Sequence, residues 1–235
     1  MGSHRWRRRL CAFLALLLMA ALAIGLPSFS THRPQPPLRV QLRWLPQAQF
    51  AGFYVAQDRD FFQREGLSVS LEQGGPSVNG LRRLHEGEVD VTVAWTSDAL
   101  DMRRQGADLV NVAQLLQRPG TMLVCSATSG VRQPADLEGK RVGTWFLGDE
   151  FDVGHWLQRY GLGLDAVRLI EQKPAARDLL AGKVDCATAM SYNEFQTILQ
   201  AGALQSDLFT VRFAQENSGF LEDGLYVRAS DSRTL

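Results

Sequence analysis

Three of the five tryptophans in the chain, Trp44, Trp95 and Trp145, each follow directly on a stretch that reads as a β-strand. In open α/β sheets, ligands are met beyond the carboxyl ends of strands, close to helix N-termini. Indole rings at such places suit a flat ring or a sugar. Each alone equally suits a cap over the sheet; the three together point to stacking. The strand-end segments are 44–53, which includes Gln49, then 95–98, 145–152 and 190–194. In the last, Tyr192, Asn193 and Glu194 supply a ring, an amide and a carboxylate. A carboxylate accepts paired hydrogen bonds from an amino-substituted ring or an amine. The same tripeptide also reads as a plain helix N-terminus. The loop Gly148-Asp149-Glu150-Phe151-Asp152 carries three acids where a phosphate site places Gly, Ser, Thr or Lys. They would repel a phosphate or sulfonate, and they also complement a helix dipole. The candidate ligand-binding set is Trp44, Gln49, Trp95, Asp98, Asp149, Glu150, Tyr192, Asn193 and Glu194, with no catalytic residue, metal ligand or cofactor.

Beyond the first 30 residues the cysteines are Cys125 and Cys186, in the apolar runs TMLVCSA and VDCATAM. Neither sits in a metal-spaced pair, and they read as buried structural thiols. His85 and His155 are isolated, which argues against a zinc site.

The elements that must position these residues alternate between strand and helix, as in α/β construction. Strands are expected at 39–44, 67–73, 89–95 and 109–116, with helices near 50–58, 77–85 and 97–105. Ser77 and Ser97 are candidate N-caps, and Gly66, Gly87 and Gly106 candidate stops. After a strand at 121–127 the order begins again. Strands follow at 141–145, 167–171, 184–190 and 208–213, with helices near 150–159, 174–181 and 192–200. LHEGEVDVTVA at 84–94 matches LLAGKVDCATA at 179–189. The expected division is a first lobe over 38–120, a second over 121–218 and a return strand over 219–235. Hinge strands are expected near 117–127 and 219–228.

Of 25 basic residues, Arg5, Arg7, Arg8 and Arg9 lie in residues 1–30, which contain no acid. The remainder therefore has 21 basic against 25 acidic residues, an acidic balance that argues against nucleic acid. The basic start, an uncharged run from Leu10 to Leu26 and the small residues Ala21, Ala23 and Gly25 read as a signal peptide, or as an uncleaved membrane anchor, over 1–30. Residues 31–37, with three prolines, read as a linker. Both readings of the leader place the body in the periplasm.

Residues 40–71, VQLRWLPQAQFAGFYVAQDRDFFQREGLSVSL, carry a W-x-P, an F-A-G-F-Y-V-A and an F-F-x-x-E-G-L element. GEVDVTVAWTSDAL, PADLEGKRVGTW, GKVDCATAMSYNEF and FLEDGLYV follow in order. Over about residues 38–230 the chain resembles the substrate-binding proteins related to thiamine-pyrimidine synthases. The resemblance implies a type II periplasmic binding fold and, as ligand, a thiamine-precursor pyrimidine; from their strand-end positions, Trp44 and Tyr192 are expected to sandwich its ring and Glu194 to accept from its amino edge. It also implies an ABC permease as partner and a monomer. The alternative is the ligand-sensing domain of a signalling protein, a histidine kinase or diguanylate cyclase; a third is the synthase itself. Against the enzyme, the synthases' CCCFC motif corresponds here to GFLEDG at 219–224. Their product-forming histidine falls near Ser97, and their phosphate loop corresponds to the acidic 148–152. The family continues past the GLYV strand with helices that close lobe one, so an under-packed first lobe is expected.

Overall fold

The computed structural model describes residues 36–173 and 175–232, so the leader and most of the linker lie outside the described residues. Among the described residues, no helix is long and apolar enough to cross a membrane.

Two five-stranded sheets are built to one plan. The first has the order β2-β1-β3-β10-β4, from β1 (Leu38–Gln41), β2 (Val69–Glu72), β3 (Val91–Ala94), β4 (Leu109–Gln114) and β10 (Gly224–Arg228). The second has the order β7-β6-β8-β5-β9, from β5 (Thr121–Cys125), β6 (Arg141–Thr144), β7 (Arg168–Glu171), β8 (Cys186–Met190) and β9 (Phe209–Arg212). In each sheet the fourth strand, β10 or β5, runs antiparallel to both neighbours, and the first three are mutually parallel. Strands β3, β5 and β8 are buried along their whole length, which is why they read as unbroken apolar runs. Helix Asp149–Gln158 turns Val153, Trp156 and Leu157 inward, the spacing of one helical face. These three join Leu123, Val142 and Phe213 in the core of the second lobe.

The chain crosses between the sheets twice, at 115–120 and 213–223. The expected hinges overlap these crossovers but run on into β5 and β10, whose residues are committed to ladder hydrogen bonds.

The letter repeat has a physical counterpart. Asp90 and Asp185, each just before a buried strand, accept the backbone N–H of Arg39 or Arg141 at 2.8 Å. Each also holds that arginine's guanidinium through both carboxylate oxygens. One carboxylate thus ties the start of β3 to the start of β1 in the first lobe, and the start of β8 to the start of β6 in the second.

Gly66, Gly87 and Gly106 do stop their helices, at φ 76°, 78° and 97°. Other local expectations change. The helix foreseen from residue 77 begins at Gly80, capped by the Asn79 side chain, which accepts from Arg82 N; Pro76 and Ser77 are spent in a turn. Ser97 lies inside helix Thr96–Arg104, with Trp95 at the cap position. Cys125 and Cys186 are joined in a disulfide and are not free thiols. They stand directly opposite each other on antiparallel β5 and β8, a pairing that strand reading alone does not reveal.

Candidate functional site

At the carboxyl ends of β1, β3, β6 and β8 the two lobes face each other across a small open cleft. Lobe one contributes Arg43, Trp44, Gln47, Gln49 and Trp95, and lobe two contributes Trp145, Leu147, Asp149, Met190, Tyr192 and Glu194. Four aromatic rings thus face a small cavity. Trp44 and Trp145 keep part of their surface open and pack their inner faces on their lobes' cores, whereas Trp95 is 6% exposed. The guanidinium of Arg43 lies over the Trp95 ring, 4.2 Å from its centroid.

Arg43 also joins the lobes. Its Nη1 pairs with Asp98 at 2.5 Å, and its Nη2 donates to the Leu147 carbonyl across the seam at 2.6 Å. Burial pushes the Asp98 acid up, and the arginine opposes that shift. Next to Leu147, Gly148 has φ 103°, and its Cα faces lobe one so closely that a Cβ would come within 2.7 Å of Ser97 Oγ.

The acidic loop is mostly inward-facing. Asp149 is fully buried and accepts from Trp145 N at 3.0 Å, Leu147 N at 3.3 Å and Thr188 Oγ1 at 2.5 Å. Its carboxylate holds the turn that carries Trp145, in which Phe146 takes a left-handed φ of 54°. Glu150 accepts from Gly148 N and faces an outer groove that it shares with Asp98, Phe146 and Phe151. Asp152 turns to the second crossover and accepts from Phe220 N at 2.8 Å.

Of the nine residues expected at the site, Trp44, Gln49, Trp95, Asp149, Tyr192 and Glu194 line the cleft. Asp98 is engaged by Arg43 and looks into the outer groove. Asn193 lies in a neighbouring hollow and donates to Glu194 Oε1 at 2.8 Å, while Glu194 Oε2 accepts from Met190 N at 2.9 Å. Those two bonds aim the carboxylate and leave it spare lone pairs.

Sequence reasoning passed over Arg43, the neighbour of Trp44 at a strand end, where a cation is itself a signal. It also passed over the acids of the crossovers. Glu222, 0% exposed, accepts from Gly120 N, Thr121 N and Thr121 Oγ1, binding one crossover to the other. Burial pushes Glu222 and Asp152 up to about 7 and Asp223 up to about 6. Among the described residues no metal-type cluster of three or more His, Cys, Asp or Glu side chains forms.

Two lobes with this strand order, joined by two crossovers around a cleft, define a type II periplasmic binding protein fold, and solved structures agree. The periplasmic aliphatic sulphonate-binding protein of Escherichia coli superposes with a TM-score of 0.69 at 16% identity, over 85% of this chain and 64% of that one. The NMT1/THI5 like family model matches residues 47–227, and the chain belongs to that family. A Haemophilus influenzae protein named for thiamine biosynthesis is 29% identical over 167 residues, 70% of this chain and 52% of that protein. The formylaminopyrimidine-binding protein of Halalkalibacterium halodurans is 25% identical over 130 residues, 55% of this chain and 39% of that protein. The chain thus spans about half the length, or less, of these curated relatives.

Proposed function

We propose that the protein is an extracytoplasmic substrate-binding protein that delivers a small planar amino heterocycle, a thiamine-precursor pyrimidine, to an ABC permease. One observation carries the reading: Trp44 from one lobe and Tyr192 from the other line the same cleft, with Glu194 fixed on its wall. Rings from opposite lobes can close on both faces of a flat ligand, and a carboxylate with spare lone pairs accepts from its amino group. The name of the Halalkalibacterium relative supports an aminopyrimidine. The three carboxylates of the 149–152 loop, which would repel an anion there, support a ligand without phosphate. The basic and apolar leader supports export, and so does the Cys125–Cys186 disulfide, a bond favoured in oxidising compartments.

Calorimetry with 4-amino-5-hydroxymethyl-2-methylpyrimidine tests this. Glu194→Gln replaces a charged acceptor, and losing such a bond costs about 1.5–3 kcal/mol, roughly ten- to a hundredfold in affinity. Glu216→Gln, on a residue that bonds the exposed Tyr160 hydroxyl away from the cleft, leaves affinity unchanged. Equal affinities in the two variants would overturn the site.

A further inference from the structure

Residues 221–223 of the second crossover belong to lobe one by their backbone. The Leu221 carbonyl accepts from Thr96 N at 3.0 Å, the Asp223 carbonyl from Leu115 N at 3.2 Å, and the Glu222 carbonyl from the Gln114 side chain. The Glu222 side chain belongs to lobe two. Its carboxylate accepts from Gly120 N at 2.9 Å, from Thr121 N at 2.7 Å and from the Thr121 hydroxyl, where β5 begins. Glu222 is thus a strut laid across the hinge, and rotation of one lobe on the other must disturb one of its ends. A second carboxylate meets the same strut. Asp152, on helix Asp149–Gln158 of lobe two, accepts from Phe220 N at 2.8 Å and also hydrogen-bonds the Thr121 side chain. Both acids are buried, Asp152 at 1% and Glu222 at 0% exposure.

Thr121 brings one hydroxyl hydrogen to two carboxylates. When it donates to Glu222, Asp152 meets a lone pair and bonds Thr121 only by carrying a proton itself; when it donates to Asp152, Glu222 needs that proton. A single proton satisfies all three groups, and without it two buried like charges share one site. Burial pushes both acids up to about 7. Their surroundings do not neutralise them. Asp149 on the same helix and Asp223 next in the chain add negative charge. Tyr192, whose ring lies against Gly120, is kept protonated by burial. Arg43 is engaged by Asp98 and the Leu147 carbonyl, and Arg118 of the first crossover is exposed. We propose that Asp152, Thr121 and Glu222 form a proton latch at the hinge: one proton, shared by the two carboxylates through the Thr121 hydroxyl, holds the lobes closed, and its loss lets them part. Parting admits water to the carboxylates, which then ionise in their ordinary range, so the closed arrangement holds the proton more tightly. Closure is therefore favoured fully below about pH 4, and the advantage is lost as pH rises through about 7. The latch rests on the hinge and not on the identity of the ligand; any ligand that favours closed lobes is held less tightly as it opens.

Amide hydrogen exchange on the purified, ligand-free chain between about pH 5 and 9, corrected for the intrinsic pH dependence of exchange, tests the latch. Gly120 N, Thr121 N and Phe220 N, which donate to the two carboxylates, report its opening. Leu123 N, inside the buried strand β5, reports unfolding of the lobe and exchanges more slowly throughout. With one proton lost per opening, the opening constant at the three latch amides rises by about tenfold per pH unit above about pH 7. Small-angle scattering shows the molecule expanding over the same range. In Asp152→Asn or Glu222→Gln the remaining carboxylate has the Thr121 hydrogen to itself, and the rise above pH 7 disappears from both readouts. His155→Gln, which removes the exposed imidazole beside Phe220 on the same helix, leaves the rise intact. The wild-type readouts decide even where a variant does not fold. Latch amides that are flat across pH or no less protected than Leu123, or a rise without expansion, would overturn the latch. So would a rise that persists in both carboxylate variants or vanishes with His155.

Discussion

Replacing Gly148 with alanine tests whether the seam between the lobes controls affinity. The substitution has two costs. At φ 103° any side chain is strained, about 1–3 kcal/mol, whether or not the lobes meet. The second arises only when they meet: the new Cβ would stand 2.7 Å from Ser97 Oγ, 2.9 Å from Asp98 Oδ1 and 3.4 Å from Trp95 Cε3. Ser97 Oγ has no hydrogen bond to hold it and can rotate away. Asp98 can retreat only by loosening Arg43, and with it the bond to the Leu147 carbonyl. Overpacking of this kind costs about 1–3 kcal/mol, or roughly five- to 150-fold in affinity if closure accompanies binding. Gly130→Ala isolates the first cost, because Gly130 has φ 74° and no heavy atom within 4 Å of the Cβ position. Calorimetry with the hydroxymethyl probe, thermal melts and small-angle scattering with and without ligand separate the two. Both variants should melt earlier; only Gly148→Ala should bind weakly and fail to contract on adding ligand. Wild-type affinity in a Gly148→Ala protein that melts no lower than Gly130→Ala would refute the reasoning.

The Cys125–Cys186 bond spans 61 residues, and closing a loop of that size stabilises by about 4 kcal/mol on chain-entropy grounds. A Cys125→Ala/Cys186→Ala double variant should lose about 2–4 kcal/mol in urea unfolding, and added reductant should then have no further effect. Asp152, Glu222 and Asp223 hold their protons more tightly folded, with values of about 7, 7 and 6, than their ordinary 3.8, 4.5 and 3.8. Their stabilising contribution is therefore full below about pH 4 and is lost as pH rises through 6 to 7. Asp90 and Asp185, held low by their arginines, act in the opposite sense and withdraw stability below about pH 4. Melting temperature measured against pH should peak near pH 5 and fall by several degrees by pH 8. A flat profile from pH 5 to 8 would mean that the bonds to Glu222 and Asp152 outweigh their burial.

The alternation of elements was readable because β3, β5 and β8 are buried on both faces and leave continuous apolar runs, and because Gly66, Gly87 and Gly106 mark real helix ends. The duplicated Val-Asp was visible as letters, but its use was not. Asp90 and Asp185 act on arginines 51 and 44 residues earlier, and no local pattern announces such a partner. The disulfide was missed for the same reason, since register between β5 and β8 is a tertiary fact. At the site, residue type told which side chains stand at strand ends, and so found Trp44 and Tyr192. It did not tell which carboxylates are free. Asp149 and Asp98 look available in the sequence and are consumed by Thr188 and Arg43, whereas Glu194, which also read as a plain helix N-terminus, faces the cleft.

The placement of β10 between β3 and β4 has a consequence for the order in which this molecule can be assembled. Residues 121–212 hold all five strands of the second sheet in one unbroken stretch, so that lobe can close on itself as soon as it has been synthesised. In the first sheet β4 pairs with β10 alone, and β3 meets only β1 on its other side. Until residues 224–228 arrive, β4 has no ladder partner and one edge of β3 is bare. Contacts across 110 or more residues of chain are slow to form, and bare edges invite wrong partners meanwhile. The sheet begun first is thus filled last, and the cleft comes into being only when the strand that follows Glu222 and Asp223 slides between its two neighbours.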